Sequence, residues 1–145
     1  MSPRGFVILA VEDDPDDVFF LKTAFAELGL PDCLRVARDG EEAVDYLQGQ
    51  GAFADRGLYP PPSLVLLDLK LPRKSGFEVL EWRRLEPAFR RIPVLVLTSS
   101  RSQADVAHAY DLGANAFLVK PIDAREQVRL VAAIRSFWLD LNLLP

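Results

Sequence analysis

The chain carries one cysteine, Cys33, and one histidine, His108. A lone cysteine excludes an intrachain disulfide, and neither residue is numerous enough to build the Cys/His ligand set of a zinc site. Cys33 reads as a small core residue and His108 as a surface residue of a helix, not as a phosphate acceptor. No apolar run approaches the ~20 residues of a membrane span. The N-terminus has no charged segment followed by a long apolar one, so no secretory leader is expected and the protein reads as cytoplasmic, with no membrane partner. Excess positive charge is also missing. Seventeen basic residues face 21 acidic ones for a net charge of −4, which argues against a general affinity for nucleic acid or anionic membrane. There is no internal repeat, low-complexity tract or break in composition. The 145 residues, half of them hydrophobic, suffice for one domain with a full core. A single domain over residues 1–145, without an output domain, is expected.

What the chain does have is a series of short apolar runs that end in polar residues. The central one, Leu64-Val65-Leu66-Leu67, closes on Asp68 and lies between Pro60-Pro61-Pro62 and Pro72. A continuous run of this length reads as a strand buried on both faces. Gly5 to Val11 is another, followed at once by Glu12-Asp13-Asp14. Pro15 suits the first turn of a helix with Asp14 as its N-cap. Val18, Leu21, Phe25 and Leu28 continue that helix at helical spacing until Gly29 and Pro31. Leu34 and Val36 mark a short strand, Asp39-Gly40 a turn, and Ala43, Val44 and Leu47 the next helix. Gly49 to Pro62 has no period and reads as a long surface loop, too apolar at Phe53, Leu58 and Tyr59 for a disordered linker. Ser75-Gly76 opens a helix carrying Phe77, Leu80 and Trp82, and Val94 to Leu97 is a strand ending in Thr98. A helix from about Ser102 to Leu112 stops at Gly113. Phe117-Leu118-Val119 is a fifth strand ending in Lys120-Pro121, and a last helix runs from about Ala124 to Trp138 or beyond.

Strand and helix thus alternate five times, which specifies a parallel sheet with right-handed crossovers. The expected fold is α/β: a flavodoxin-like, doubly wound, five-stranded parallel sheet of order 2-1-3-4-5 with helices on both faces. Ligands bind such sheets at the carboxyl ends of the strands, so Glu12, Asp13, Asp68, Thr98 and Lys120 should converge there. Clustered carboxylates repel one another and are costly to bury uncompensated. A bridging divalent cation and the fixed charge of Lys120 both answer this. An all-oxygen ligand set favours Mg²⁺ or Mn²⁺. A cation, a lysine, a hydroxyl and a nucleophilic carboxylate together suit phosphoryl transfer to Asp68.

The motifs Val11-Glu12-Asp13-Asp14, Leu66-Leu67-Asp68 with Leu71-Pro72 and Gly76, Leu97-Thr98-Ser99, and Phe117-Leu118-Val119-Lys120-Pro121 resemble those of the receiver domain of two-component response regulators. The resemblance covers nearly the whole chain. It implies that Asp68 accepts a phosphoryl group from a phosphohistidine on a sensor histidine kinase. It implies Mg²⁺ bound by Asp13, Asp68 and the backbone carbonyl of Lys70, with Glu12 acting through a metal-bound water. Lys120 would contact the phosphoryl oxygens, Thr98 would turn inward to the phosphate, and Phe117 would be the aromatic whose rotamer follows Thr98. The resemblance also implies a cis bond before Pro121, and an influence of Lys70 and Ser100 on phosphate lifetime. Such a protein assists its own phosphorylation and dephosphorylation but is not an enzyme. The loop from Gly51 to Pro62, the segment Leu69 to Lys74 and Phe137-Trp138-Leu139 are similar to single-domain regulators paired with phytochrome kinases. A phosphoaspartate-forming phosphatase is the alternative, but those enzymes usually carry a second Asp where this chain has Lys70. A flavin-binding protein would want a Ser/Thr/Gly-rich phosphate loop where Glu12-Asp13-Asp14 stands.

Two further expectations concern surfaces. Arg73-Lys74 and Arg83-Arg84 read as solvated. The last helix and tail are rich in apolar residues, from Val128 through Leu130, Val131, Ile134, Phe137, Trp138 and Leu139 to Leu141, Leu143 and Leu144. A helix packing on a sheet needs an apolar stripe of about 100°, and Leu130, Trp138 and the tail leucines exceed it. A symmetric homodimer through the fifth helix and tail is expected.

Overall fold

The computed structural model describes residues 6–145; the part of the first-strand expectation that falls on Gly5 lies outside the described residues. Five strands, β1 (Ile8–Val11), β2 (Leu34–Ala37), β3 (Leu64–Leu67), β4 (Val94–Thr98) and β5 (Ala116–Val119), form one sheet of order β2-β1-β3-β4-β5. All neighbours are parallel. Five helices connect and follow them: α1 (Pro15–Glu27), α2 (Gly40–Gln48), α3 (Gly76–Leu85), α4 (Gln103–Asp111) and α5 (Ala124–Ile134). The expected flavodoxin-like topology is what is found.

Side chains on successive strand residues point to opposite faces, and each face has its own core. Leu9, Val11, Val65, Leu67, Val94 and Val96 pack with α2, α3 and α4. Ile8, Ala10, Leu64, Leu66, Leu95 and Leu97 pack with α1 and α5, chiefly through Leu21, Phe25, Val131 and Ile134. This is why the three central strands read as unbroken apolar runs. Each helix starts on a side-chain cap: Asp14, Asp39, Ser75, Ser102 and Asp123 accept from backbone N–H groups of the first turn, satisfying donors that have no partner inside the helix. These caps start the helices soon after the strand ends, except α3, which follows the longer turn from Asp68 to Ser75. Gly76 lets α3 pack onto that turn, because a Cβ there would overlap the carbonyl oxygen of Asp68.

Three expectations need correction. The stretch from Gly49 to Pro62 is no featureless surface loop. It holds a 3₁₀ turn at Gly51–Phe53, buries Phe53 against the α2 residue Tyr46, and sets Tyr59 edge-on to both rings. Arg56 donates to the carbonyls of Tyr46 and Leu47, each at 2.8 Å, and so closes the open end of α2. Arg83 is not solvated but only 5% exposed. It donates to the Ile92 carbonyl at 2.6 and 3.1 Å and to that of Gly113 at 3.0 Å, tying α3 to the segments before β4 and β5. Burial lowers its pKa from the ordinary arginine value, as desolvation of a charge must. The tail also differs in part. Past α5 the chain continues as a wider π-helical stretch, Arg135–Leu141, which sets Trp138 and Leu139, and beyond them Leu144, against the α1–α5 core. Phe137, Leu141 and Leu143 stay exposed.

Candidate functional site

The carboxyl ends of β1, β3 and β5 bring Glu12, Asp13, Asp68 and Lys120 together, and Thr98 ends β4, the strand between β3 and β5. Lys120, just past β5, reaches across the sheet edge. Its ammonium lies 2.8 Å from Asp68 Oδ2 and 2.8 Å from Asp17 Oδ2, and it also pairs with Glu12. Parallel pairing fixes this convergence: the backbone N–H of Lys120 donates to Thr98 at 2.8 Å, that of Asp68 to Val11 at 3.1 Å, and that of Glu12 to Ala37 at 2.9 Å. The side chains of Glu12 and Asp68 are only 4% and 8% exposed, whereas that of Asp17 is 36% exposed. Water can therefore replace Lys120 at Asp17 but not at the other two.

This burial sets the protonation balance. Glu12 is pushed up to about 7, chiefly by burial, against the lowering effect of its hydrogen bonds to Lys120 and the Asp14 backbone. Burial alone would lower the Lys120 pKa, but its hydrogen bonds to Asp17, Asp68 and Glu12 outweigh it and push the value up. The ammonium is held charged, and Glu12 takes up a proton more readily than an ordinary carboxylate.

Carboxylate oxygens of Glu12, Asp13 and Asp68 can all lie within 4.8 Å of one another. That separation and the all-oxygen donor set fit a hard octahedral cation such as Mg²⁺, whose ligands sit at about 2.0–2.1 Å and which keeps several of its waters. Asp13 is exposed and faces solvent at the rim. Lys70 is exposed on the turn after Asp68, and its backbone N–H donates to Asp68 Oδ1 at 3.4 Å.

Thr98 ends β4 wholly buried, and its hydroxyl has no hydrogen-bond partner. A buried polar atom without a partner carries a free-energy cost, so this hydroxyl is poised to accept or donate when a polar group comes within reach. By strand alternation Thr98 shares the α4 face with Phe117, which is half-buried against the same core. Ser100 turns away, its hydroxyl donating to Asp105 at 2.6 Å. His108 is exposed and lies against Phe77.

Two expectations about the site change. The Lys120–Pro121 peptide is trans, since the described residues contain no cis bond; an X–Pro bond favours trans by about 0.5–1 kcal/mol, and the β5–α5 turn closes without giving that up. Asp17 was not singled out in the sequence, where it reads as one more acid of the α1 first turn. The signal was its spacing. It lies three residues after the N-cap Asp14, in the first turn of α1, where its carboxylate meets Lys120 at the strand ends.

An acidic trio, a lysine bridging strand ends and a buried hydroxyl at the adjacent strand, on this topology, define a class of signalling domain. Residues 8–135 match the response regulator receiver domain, and the chain belongs to that family of two-component proteins. It is 39% identical over 139 residues to Response regulator Rcp1 of Synechocystis sp., a match that covers 96% of this chain and 92% of that protein. Among solved structures, the phosphorylated cyanobacterial phytochrome response regulator RcpA resembles it with a TM-score of 0.87 at 37% identity, covering 97% of this chain and 98% of that one. The Mn²⁺-bound form of Rcp1 does so with a TM-score of 0.83 at 38% identity, covering 97% and 99%. No helix among the described residues is long and apolar enough to cross a membrane.

Proposed function

We propose that this chain is a single-domain response regulator whose Asp68 accepts a phosphoryl group from the phosphohistidine of a sensor histidine kinase, a phytochrome. The observation that carries this reading is a nucleophile with its counter-charge in place: Asp68 Oδ2 lies 2.8 Å from Lys120, and the next strand, β4, ends in a buried Thr98 hydroxyl that lacks a partner. In the transfer an Asp68 oxygen forms the new P–O bond as the P–N bond to the imidazole breaks, and the nitrogen keeps the bonding pair. Asp13, Asp68 and the Lys70 carbonyl would hold Mg²⁺ directly, with Glu12 acting through a water. When bound, the cation supplies positive charge to the oxygens of the transferring group. Lys120 turns an N–H to a phosphoryl oxygen, Thr98 donates to another and gains the partner it lacks, and Phe117 follows into the space Thr98 leaves. Exposed Phe20 and Ile122 flank the cleft beside the site and offer an apolar rim to the kinase. Likeness to a phytochrome response regulator supports the choice of kinase, and likeness to a Mn²⁺-bound one supports the cation. The protein turns over no substrate beyond its own phosphoryl group.

The test is label transfer from a small phosphodonor and from phytochrome kinases. Wild type should take up label that Asp68→Asn does not, and EDTA should suppress it. Equal labelling of both proteins would refute the assignment.

Assembly belongs to the same reading. Phe137, Leu141 and Leu143 are 52%, 73% and 94% exposed and continue the α5 surface, so a symmetric homodimer through α5 and the tail would cover them, more tightly once Asp68 is phosphorylated. Leu141→Glu with Leu143→Glu leaves the packed Trp138, Leu139 and Leu144 in place and should yield a monomer in light scattering. Wild type that stays monomeric at high micromolar concentration, phosphorylated or not, would exclude the dimer.

A further inference from the structure

An ammonium has three N–H donors and no more. In this structure Lys120 directs them at three different carboxylates, Glu12, Asp17 and Asp68. None is left for an arriving phosphoryl oxygen, so one contact has to be given up. In the resting protein Glu12 and Asp68, at 4% and 8% exposure, have no water to take the ammonium's place, and they lose it only where the cation and the phosphoryl group replace it. Asp17, at 36%, would be hydrated at once. It borders, with Lys120, Phe20 and Ile122, an open cleft of about 330 Å³ into which its carboxylate can withdraw.

Charge acts in the same direction. Glu12, Asp17 and Asp68 surround Lys120, with Asp13 close to two of them, and the phosphoryl group adds about two further negative charges. Asp17 contributes to that repulsion, yet it is neither the nucleophile nor one of the three acids grouped closely enough to share a cation. It lies in the first turn of α1, where the helix N-terminus favours a negative side chain. A contact present before phosphorylation and lost after it biases the balance towards the unphosphorylated state by its full differential strength.

We propose that Asp17 is a positioning residue that occupies one N–H of Lys120 in the resting protein and competes with the phosphoryl group for it. Asp17 therefore weakens the hold on the phosphorylated state and shortens its life. This rests on the reading of Asp68 as phosphoacceptor. The probe is beryllofluoride with saturating Mg²⁺, followed by ¹⁹F NMR and calorimetry on the full chain. Asp17→Ala should bind it about fivefold more tightly, the size of a half-exposed ion pair, and hydrolyse its phosphoryl group more slowly. Asp17→Asn, which keeps an acceptor but no charge, should fall between Ala and wild type. Asp17→Glu should restore the wild-type affinity, and no variant should bind Mg²⁺ alone more tightly. Equal or weaker beryllofluoride binding by a folded Asp17→Ala overturns the proposal and makes Asp17 a simple brace for Lys120. Beryllofluoride binding by Asp68→Asn would instead overturn the underlying assignment, whatever Asp17 does.

Discussion

Replacing Lys120 with Met takes the cation from between Glu12 and Asp68 while keeping most of the side chain's length. The two carboxylates are almost closed to solvent, so water cannot take over. Removing one partner of a buried ion pair costs about 3–5 kcal/mol, a large fraction of the roughly 5–15 kcal/mol that holds a domain folded. The lower end applies here, for two reasons. Asp17 regains water, and Glu12, already pushed up to about 7 by burial, can take up a proton. The loss should therefore be about 3 kcal/mol at pH 8 and clearly smaller at pH 6. Mg²⁺ should restore part of it, because a ligand that binds only the folded state stabilises by RT ln(1 + [L]/Kd). The variant has one positive charge fewer to repel that cation. Urea unfolding followed by the fluorescence of Trp82 and Trp138, at both pH values, in EDTA and in Mg²⁺, measures all three effects. A loss under about 1 kcal/mol at pH 8 in EDTA, the range of an exposed pair, would mean that the carboxylates are solvated and the reasoning is wrong.

Glu12 has a folded-state pKa above its ordinary 4.5, so the stability it contributes is complete below that value and disappears as pH rises through about 7; Glu12→Gln should flatten that part of the stability–pH curve in EDTA, and an unchanged slope would contradict the burial argument. Thr98→Val removes a buried hydroxyl without a partner and should raise the urea-unfolding stability of the unphosphorylated protein by about 1 kcal/mol, while abolishing any phosphorylation-dependent change in assembly. Arg83→Leu strips the Ile92 and Gly113 carbonyls of their donors and should cost about 2–4 kcal/mol in the same assay. Arg83→Lys should recover little, because a point charge cannot span both carbonyls.

Much of the fold was legible because the central strands are buried on both faces. Leu64–Leu67 and Val94–Leu97 announce themselves as apolar runs, and the caps Asp14, Ser75 and Ser102 mark the helix starts by residue type. Once alternation set the topology, the polar residues that end those runs had to meet, so Glu12, Asp68, Thr98 and Lys120 could be grouped before any coordinates. Residues whose role depends on a side-chain path through space were harder to read. Arg83 passed as a solvated helix residue, although its spacing from Val79 and Leu80 puts it on the buried stripe. Asp17 was lost among its acidic neighbours. The tail's leucines divide into packed Leu139 and Leu144 and exposed Leu141 and Leu143 across a π-helical stretch and the extended end after it, a change of period that apolar counting does not detect. The trans Lys120–Pro121 bond ran against an expectation taken from resemblance, not from the residues themselves.

β4 joins two unlike environments. Thr98 closes one end beside the carboxylates, while Pro93, the residue before its other end, lines a cleft of about 320 Å³ with Ser63, Ile92 and the tail residue Leu144. The five residues of β4, Val94 to Thr98, span about 17 Å at the usual strand rise, and parallel neighbours hydrogen-bond the strand on both sides. Held in this way, β4 has an ionic end and an oily one, and a single hydrogen-bonded strand, rather than the helices that clothe the sheet, sets the distance between them.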